Sequence, residues 1–369
     1  RAFFREQERV ADALWPVLDD AERLPPFSAR GLGFHAGRAH RYLPALRWMT
    51  ATALDVAKRH GVHDFAPLRT WMDAICQITV QADAAQAEAP FALSTMDYLF
   101  RGTGHVHGGI GELAWAMAGA VERGGGAVHL ADRVRGLQRD GDAWVVTSRS
   151  GAVRARHVVA NVLPKVVDEM LDTPDPALAR LQAPVDAGWS AVMLYLQLAA
   201  DAPLRPEPHH LELVADTDAP FVEGNHVFCS ISGRDETDRA PDGRRTVTVS
   251  THLAVERLRG REPAEQGQRV ATIQGRMRET IRQLAPELDA AVVHAMTASP
   301  RTWQRFTRRP EGLVGGVPRR AGLANYRGLW PSPVQRGLWL VGDSVFPGQS
   351  TLATALGGVR TARALLRAG

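Results

Sequence analysis

The sequence predicts a mixed α/β fold, closer to an α+β mixture than to regular strand-helix alternation, and three observations carry that expectation. Residues 1–100 place apolar side chains at helical spacing. Short apolar runs between residues 127 and 160 follow one another around tight turns. Near the end, a short apolar strand over 337–344 runs into Gly342-Asp343, and a helix rich in alanine and glycine follows from Thr351 to about Arg367.

Taken in order, the helical stretch rests on Val10, Leu14, Trp15 and Leu18, then Leu54, Val56 and Ala57, then Trp71, Met72 and Ile75, with breaks at Pro25-Pro26 and Gly61. Gly108-Gly109-Ile110-Gly111 leads into a helix over 112–123, a glycine stop at 124–126 and a predicted strand over 127–130. Strands over 133–139, 143–148 and 152–160, turning at Asp140-Gly141-Asp142 and Ser150-Gly151, read as a meander that closes on a buried strand, His157 to Asn161. Helix resumes at 164–171. Strands over 190–198, 226–232 and 245–252 precede a clear helix over 263–284, which predicts a sheet with a helical lid.

The 369 residues, 45% hydrophobic and 23% charged, suffice for a substantial core in one large unit or two interleaved domains. Lys plus Arg number 44 against 40 Asp plus Glu, without a concentrated basic run, so nucleic-acid binding has no support. Cys76 and Cys229 stand far apart without zinc-ligand spacing, which argues against a disulfide framework and sets a reducing cytoplasm as the default location. The most apolar windows, 189–200 and 337–345, are too short to cross a bilayer. The first residues, Arg1-Ala2-Phe3-Phe4-Arg5-Glu6, lack a signal-peptide core and read as a helix entered in mid-protein.

A strand that delivers Gly342-Asp343 to its C-terminal end, then a loop and a small-residue helix, suits a dinucleotide. Glycine permits close approach to phosphate or ribityl oxygens, the carboxylate accepts hydroxyl hydrogen bonds, and the helix N-terminus near Ser350–Leu352 offers free N–H groups. An ordinary buried strand with a Gly-Asp turn is the competing reading of the dipeptide alone.

Four segments extend the picture: Gly108-Gly109-Ile110-Gly111-Glu112-Leu113, residues 125–137, Val158 to Pro164, and Leu340 to Ser350. In that order and at similar spacing the chain resembles the FAD-dependent carotenoid desaturases and isomerases, the phytoene-desaturase-like flavoenzymes, from about Phe3 to Arg367. The Gly342-Asp343-Ser344-Val345-Phe346-Pro347-Gly348-Gln349 segment is the most specific element and is similar to the branch that holds C-3',4' desaturases and carotene isomerases; Cys76-Gln77-Ile78 also fits.

The resemblance implies the remainder of an FAD/NAD(P)-binding oxidoreductase fold. Its parts would be a helical substrate- or membrane-facing region over 1–105, an FAD-domain segment with the meander over 106–172, a mixed substrate-domain sheet with helices over 173–310, and a C-terminal FAD segment over 311–369. It implies FAD as cofactor, with Val134 at the adenine end through its backbone and Asn161 and Pro164 on the second wall. Gly342 and Asp343 would hold the ribityl-phosphate part, and Gly348, Gln349, Thr351 and Leu352 would lie under the isoalloxazine. It names no catalytic acid or base. A carotenoid-like hydrophobic substrate would sit in an apolar tunnel and lose a hydride to the flavin and a proton from the adjacent carbon.

The family's opening strand, G-x-G-x-x-G turn and helix do not occur in these 369 residues: Gly31 to Gly37 and Gly102 to Gly108 both have the wrong spacing. The expectation is a truncated, split or incomplete enzyme, poor in flavin alone, with an N-terminal half or subunit to supply the pyrophosphate cradle. Alternatives are a redox-neutral cis–trans isomerase using reduced FAD, a non-catalytic lipid- or subunit-binding partner, and an amine-oxidase-like flavoenzyme. His105 and His107 lack a third ligand at a supporting spacing, so no metal site is expected, and structural hydrogen bonding is the favoured role. Phe3, Phe4, Trp15 and residues 42–48, with Arg38, Arg41 and Arg47, form an amphipathic set able to rest on the inner face of a membrane; a helix packed on the core is the competing reading.

Overall fold

A computed structural model describes residues 1–102, 104–202, 204 and 209–368. Helices Ala2–Leu18, Ala53–Arg59, Ala66–Thr79 and Ala89–Thr95 build the first core around Phe3, Val10, Val56, Met72, Leu93 and Met96. Thr52 starts one of them with a capping box, its hydroxyl accepting from Asp55 N–H while the Asp55 carboxylate accepts from Thr52 N–H. Buried indoles need a partner for their N–H. Accordingly Trp48 donates to Glu6 Oε1 at 2.8 Å and Trp15 to the Ser94 carbonyl at 3.2 Å. Phe3, Trp15 and Trp48 are therefore core residues, whereas Phe4, Leu43 and Leu46 stay exposed. Of the proposed amphipathic surface, those three side chains face outward together with Arg41 and Arg47.

β1 (Val134–Asp140), β2 (Ala143–Ser148) and β3 (Ala152–Ala155) form the antiparallel meander. The strand expected to close it does not. β4 (Val158–Ala160) leaves the meander and pairs in parallel with Leu338–Leu340. The separation arises at Gly337, whose carbonyl accepts from Val158 N–H at 2.8 Å and where a Cβ would strike the Arg156 carbonyl. β4 is also only partly buried, with Val159 47% exposed. The stretch 127–130 forms no strand, because no neighbouring strand pairs with it among the described residues. The helix expected at 164–171 ends earlier, at Pro164–Asp168.

The large sheet comprises β5 (Trp189–Leu198), β6 (His210–Val214), β7 (His226–Ile231), β8 (Arg245–Ala254), β9 (Val292–Ala298) and β10 (Leu313–Val314), in the order β10-β5-β8-β7-β6 with β9 also on β5. Alternation along β5 sends Val192, Leu194, Leu196 and Leu198 to one face, where Val270, Ile273, Met277 and Ile281 of helix Pro263–Leu284 cover them. The helical lid expected from the sequence is thus present. Trp189, Ala191, Met193 and Tyr195 point to the other face, toward Trp303 and Val314. β11 (Leu338–Leu340) ends at the Gly342-Asp343 turn, and helix Thr351–Ala368 closes the chain.

Candidate cofactor site

The parallel pairing of β4 and β11 brings Asn161 and Gly342 together at the ends of their strands. Gly342 has φ +104°, and a Cβ there would lie 2.3 Å from Asn161 Oδ1, so only glycine fits. A second close approach was not anticipated from the sequence. A Cβ on Gly316 would lie 1.7 Å from the Asp343 carbonyl, and one on Gly315, at φ +67°, would lie 1.9 Å from Gln81 Nε2 and 2.5 Å from Gln349 Oε1. The Gly315-Gly316 loop is therefore pressed against the Asp343 backbone on one side and the side-chain amides of Gln81 and Gln349 on the other, with no room for a side chain of its own.

Asp343 is held by Arg309, with Nη1 to Oδ1 at 3.3 Å and Nη2 to Oδ2 at 3.0 Å, and its remaining lone pairs are available to a ligand hydroxyl. Arg309 also donates to the carbonyls of Leu313 and Gly315 at 2.7 and 2.5 Å, which ties the carboxylate to the Gly315-Gly316 loop.

Gly348 and Gln349 are fixed by two further contacts. Gln349 Nε2 donates to the Thr79 carbonyl at 2.7 Å. Arg319 donates from Nη1 to the Pro347 carbonyl at 2.8 Å and from Nε to Glu88 Oε1 at 2.6 Å, while its guanidinium lies 3.6 Å over the Phe91 ring. Glu88 is completely buried and also accepts from Asn325 Nδ2 at 2.6 Å. Ser350 takes φ +105°, rare for a residue with a side chain, and its hydroxyl caps the last helix by accepting from Ala353 N–H at 3.1 Å. Thr351 and Leu352 are exposed, and their first-turn N–H groups have no acceptor within the helix. A narrow cavity of about 40 Å³ under this loop is lined by Trp15, Thr95, Tyr98, Gln349 and Leu352, and burial raises the Tyr98 pKa, which keeps the phenol neutral.

Of the expected site residues, Asn161, Gly342 and Asp343 meet directly, and Gly348 and Gln349 join them through Gly315 and Arg319. Thr351 and Leu352 open the helix beside them. Val134 stands on the separate meander sheet beside a β-bulge, and Pro164 is buried at the start of its helix. Gly315-Gly316 carried a sequence signal, a glycine pair two residues before Pro318. Glu88, Arg309 and Arg319 carried none, since isolated charges do not announce their partners.

An apolar lining was the expectation, and beside the loop this sheet face carries Trp189, Ala191 and Met193, with Trp189 Nε1 donating to the Gln81 carbonyl at 3.0 Å. Farther along the same face the expectation fails. His226, 1% exposed, sits with Nε2 3.4 Å from Glu212 Oε2, and His252 lies beside it, driven down to about 3 by burial and by His226. A wholly hydrocarbon lining is therefore replaced there by two imidazoles and a carboxylate.

His105 has the structural role favoured from the sequence. Its Nε2 lies 2.7 Å from Glu236 Oε2 and its ring stacks 5.6 Å from His209. Glu236 also accepts from the Gly233 and Gly108 N–H groups at 2.7 and 3.1 Å. Burial opposes its charge, but those hydrogen bonds outweigh it and hold the carboxyl down at about 2.

A profile of the flavin-containing amine oxidoreductases matches residues 28–366. The chain belongs to that family. Members carry a flavin, and the glycine convergence, the Asp343 carboxylate and the open helix N-terminus fit the ring and ribityl end of such a group. The chloroplastic prolycopene isomerase of Arabidopsis thaliana is 25% identical over 310 residues, covering 80% of this chain and 51% of that protein. The chain spans about half the length of the curated relatives it matches. Among solved structures, an oxidoreductase from Methanosarcina mazei superposes with a TM-score of 0.58 at 16% identity over 85% of this chain and 68% of that one. A putrescine oxidase variant gives 0.60 at 16% identity over 100% and 76%. Both share the fold of this flavoenzyme family.

Removing Glu88 would strand the buried Arg319 charge. Glu88→Ala is expected to cost about 3–5 kcal/mol in urea unfolding, and Glu88→Met combined with Arg319→Met to recover most of that loss. The Glu236 carboxyl titrates below its ordinary 4.5, so its contribution to stability is complete above that pH and disappears as pH falls toward about 2. A Glu236→Gln variant is expected to lack this acid-dependent loss, as read from melting temperatures between pH 5 and 3.

Proposed function

We propose that this chain carries the flavin-ring and substrate regions of an FAD-dependent oxidoreductase that introduces double bonds into a carotenoid or related polyene. The observation that carries this reading is the convergence of Gly315-Gly316, Gly342-Asp343 and Gly348-Gln349 beside the apolar strip of Trp189, Ala191, Met193 and Trp303. Bound FAD would supply a two-electron acceptor for the hydride of a C–H bond. Asp343 would accept hydrogen bonds from the ribityl hydroxyls. The N–H groups of Thr351 and Leu352 would favour negative charge at the ring. The apolar strip would hold a polyene by burial, at about 25 cal/mol per Å², and keep water from the reacting carbons.

A second reading, cis–trans isomerisation with reduced FAD, is favoured by the relatives named as prolycopene isomerases. In either reading the adenosine end is completed by a βαβ element docked against the parallel pair of β4 and β11 and helix Gly111–Arg123. Support for that docking comes from the helix itself, which buries no residue and exposes Trp115 by 60% and Met117 by 58%, and from the rarity of uncovered parallel strands. The exposed Phe4, Leu43 and Leu46 would rest on the membrane surface from which a hydrocarbon enters.

The deciding experiment supplies the FAD-loaded protein with a partly saturated carotene and with a poly-cis polyene, and reads products by mass and absorption. Loss of two hydrogens per step is the expected result. Unchanged mass with a shifted spectrum would replace it with isomerisation. Turnover of amines with no action on either polyene would overturn both.

A further inference from the structure

A groove of about 520 Å³ opens between helix Pro176–Asp186, the loop around residues 327–334, the end of β11 and helix Thr351–Ala368. Its lining includes Arg180, Arg327 and Arg360, and no lining residue carries a carboxylate. Leu181, Leu340 and Trp330 supply apolar walls. The groove combines several cationic groups with a hydrophobic surface.

Arg360 gives the site its character. It is 1% exposed, yet its partners are carbonyls and one aromatic ring: Nε donates to Pro25 O at 2.7 Å, Nη1 to Phe346 O at 3.2 Å and Nη2 to Leu329 O, and the guanidinium lies 4.9 Å from the centre of the Phe346 ring. Among the described residues no carboxylate pairs with it. A guanidinium has five N–H donors, so those three bonds leave others unused. Burial lowers its pKa to about 10, and the group therefore remains charged at neutral pH. A buried charge without a counter-ion costs several kcal/mol unless something neutralises it. Arg180 and Arg327, both exposed, stand at the same groove with their charges toward solvent.

We propose that this groove binds an amphipathic anion, an apolar chain ending in an anionic oxygen head group, with the arginines on the head and Leu181, Leu340 and Trp330 along the chain. Inorganic phosphate has no group to occupy the apolar wall, and a neutral alcohol offers Arg360 an acceptor but no counter-charge, so both are expected to bind poorly. The head group could belong to a membrane lipid or to a free amphiphile; the chemistry recognised is the same.

The test uses the full chain with dodecyl phosphate below its micellar concentration, dodecanol and inorganic phosphate, measured by calorimetry. Dodecyl phosphate is expected to bind at least about ten-fold more tightly than either control, since neither control joins a charged head to an apolar chain. An Arg180→Gln/Arg327→Gln double variant, altered only at exposed positions, is expected to lose about ten-fold in affinity with its melting temperature unchanged. Flotation with phosphatidylglycerol and phosphatidylcholine vesicles separates the sources. Charge-selective flotation abolished by the double variant supports a lipid head group, and soluble binding without flotation supports a free amphiphile. Equal binding of dodecyl phosphate by the double variant would overturn the proposal. So would its displacement by FAD, which would make the anion the cofactor's own.

Discussion

The buried pair of Glu88 and Arg319 is the interaction on which the arrangement of the site depends. Taking two charges out of water is costly, and the pair holds because every neighbour helps it. Asn325 takes the second Glu88 oxygen, the Pro347 carbonyl takes a guanidinium N–H, and Phe91 lies against the cation. The backbone repeats the link, since Glu88 N–H donates to the Arg319 carbonyl at 3.1 Å and Arg319 N–H to that of Val80 at 2.9 Å. One guanidinium thus ties the helical region to the loop that follows Gly342-Asp343. The hydrogen bond from Gln349 Nε2 to the Thr79 carbonyl, at 2.7 Å, reinforces that tie between residues 347–349 and residues 79–81.

That tie makes the glycines meaningful. Gly315, Gly316 and Gly342 stand where backbone meets backbone or amide, at separations no Cβ could share. The absent Cβ atoms let the side-chain amides of Gln81, Gln349 and Asn161 and the Asp343 carbonyl pack directly onto the glycine backbone. The neighbouring sheet then contributes shape: its lid-facing side is filled by helix Pro263–Leu284, and its other side carries Trp189, which hydrogen-bonds the Gln81 carbonyl, and His252. The imidazoles of His226 and His252 make one end of that surface more polar than a hydrocarbon alone requires.

How much was legible in the sequence follows from how local each signal is. Helix Pro263–Leu284 was read to its ends because periodicity and flanking prolines are local properties. The strand ending in Gly342-Asp343 was equally visible, since an apolar run into Gly-Asp is contiguous. β4 was misassigned to the meander because sheet membership depends on a partner, β11, roughly 180 residues away. The stretch 127–130 has strand composition, yet without a neighbour its hydrogen bonds cannot form a ladder. Phe3, Trp15 and Trp48 looked amphipathic because a single helix shows which side is apolar, and what covers that side is a tertiary fact. The same limit hid Arg309 and Arg319, whose importance rests on Asp343 and Glu88 at long range.

The central claim, that these residues alone form the ring end of a flavin site, is tested most directly by titrating the purified chain with FMN, which lacks the adenine end, and with FAD. Visible absorption and flavin fluorescence report the binding. The account predicts that both quench and shift on binding with similar affinity, because the ring and ribityl contacts are shared. A folded chain, judged by its circular dichroism and melting, that perturbs neither flavin would contradict it.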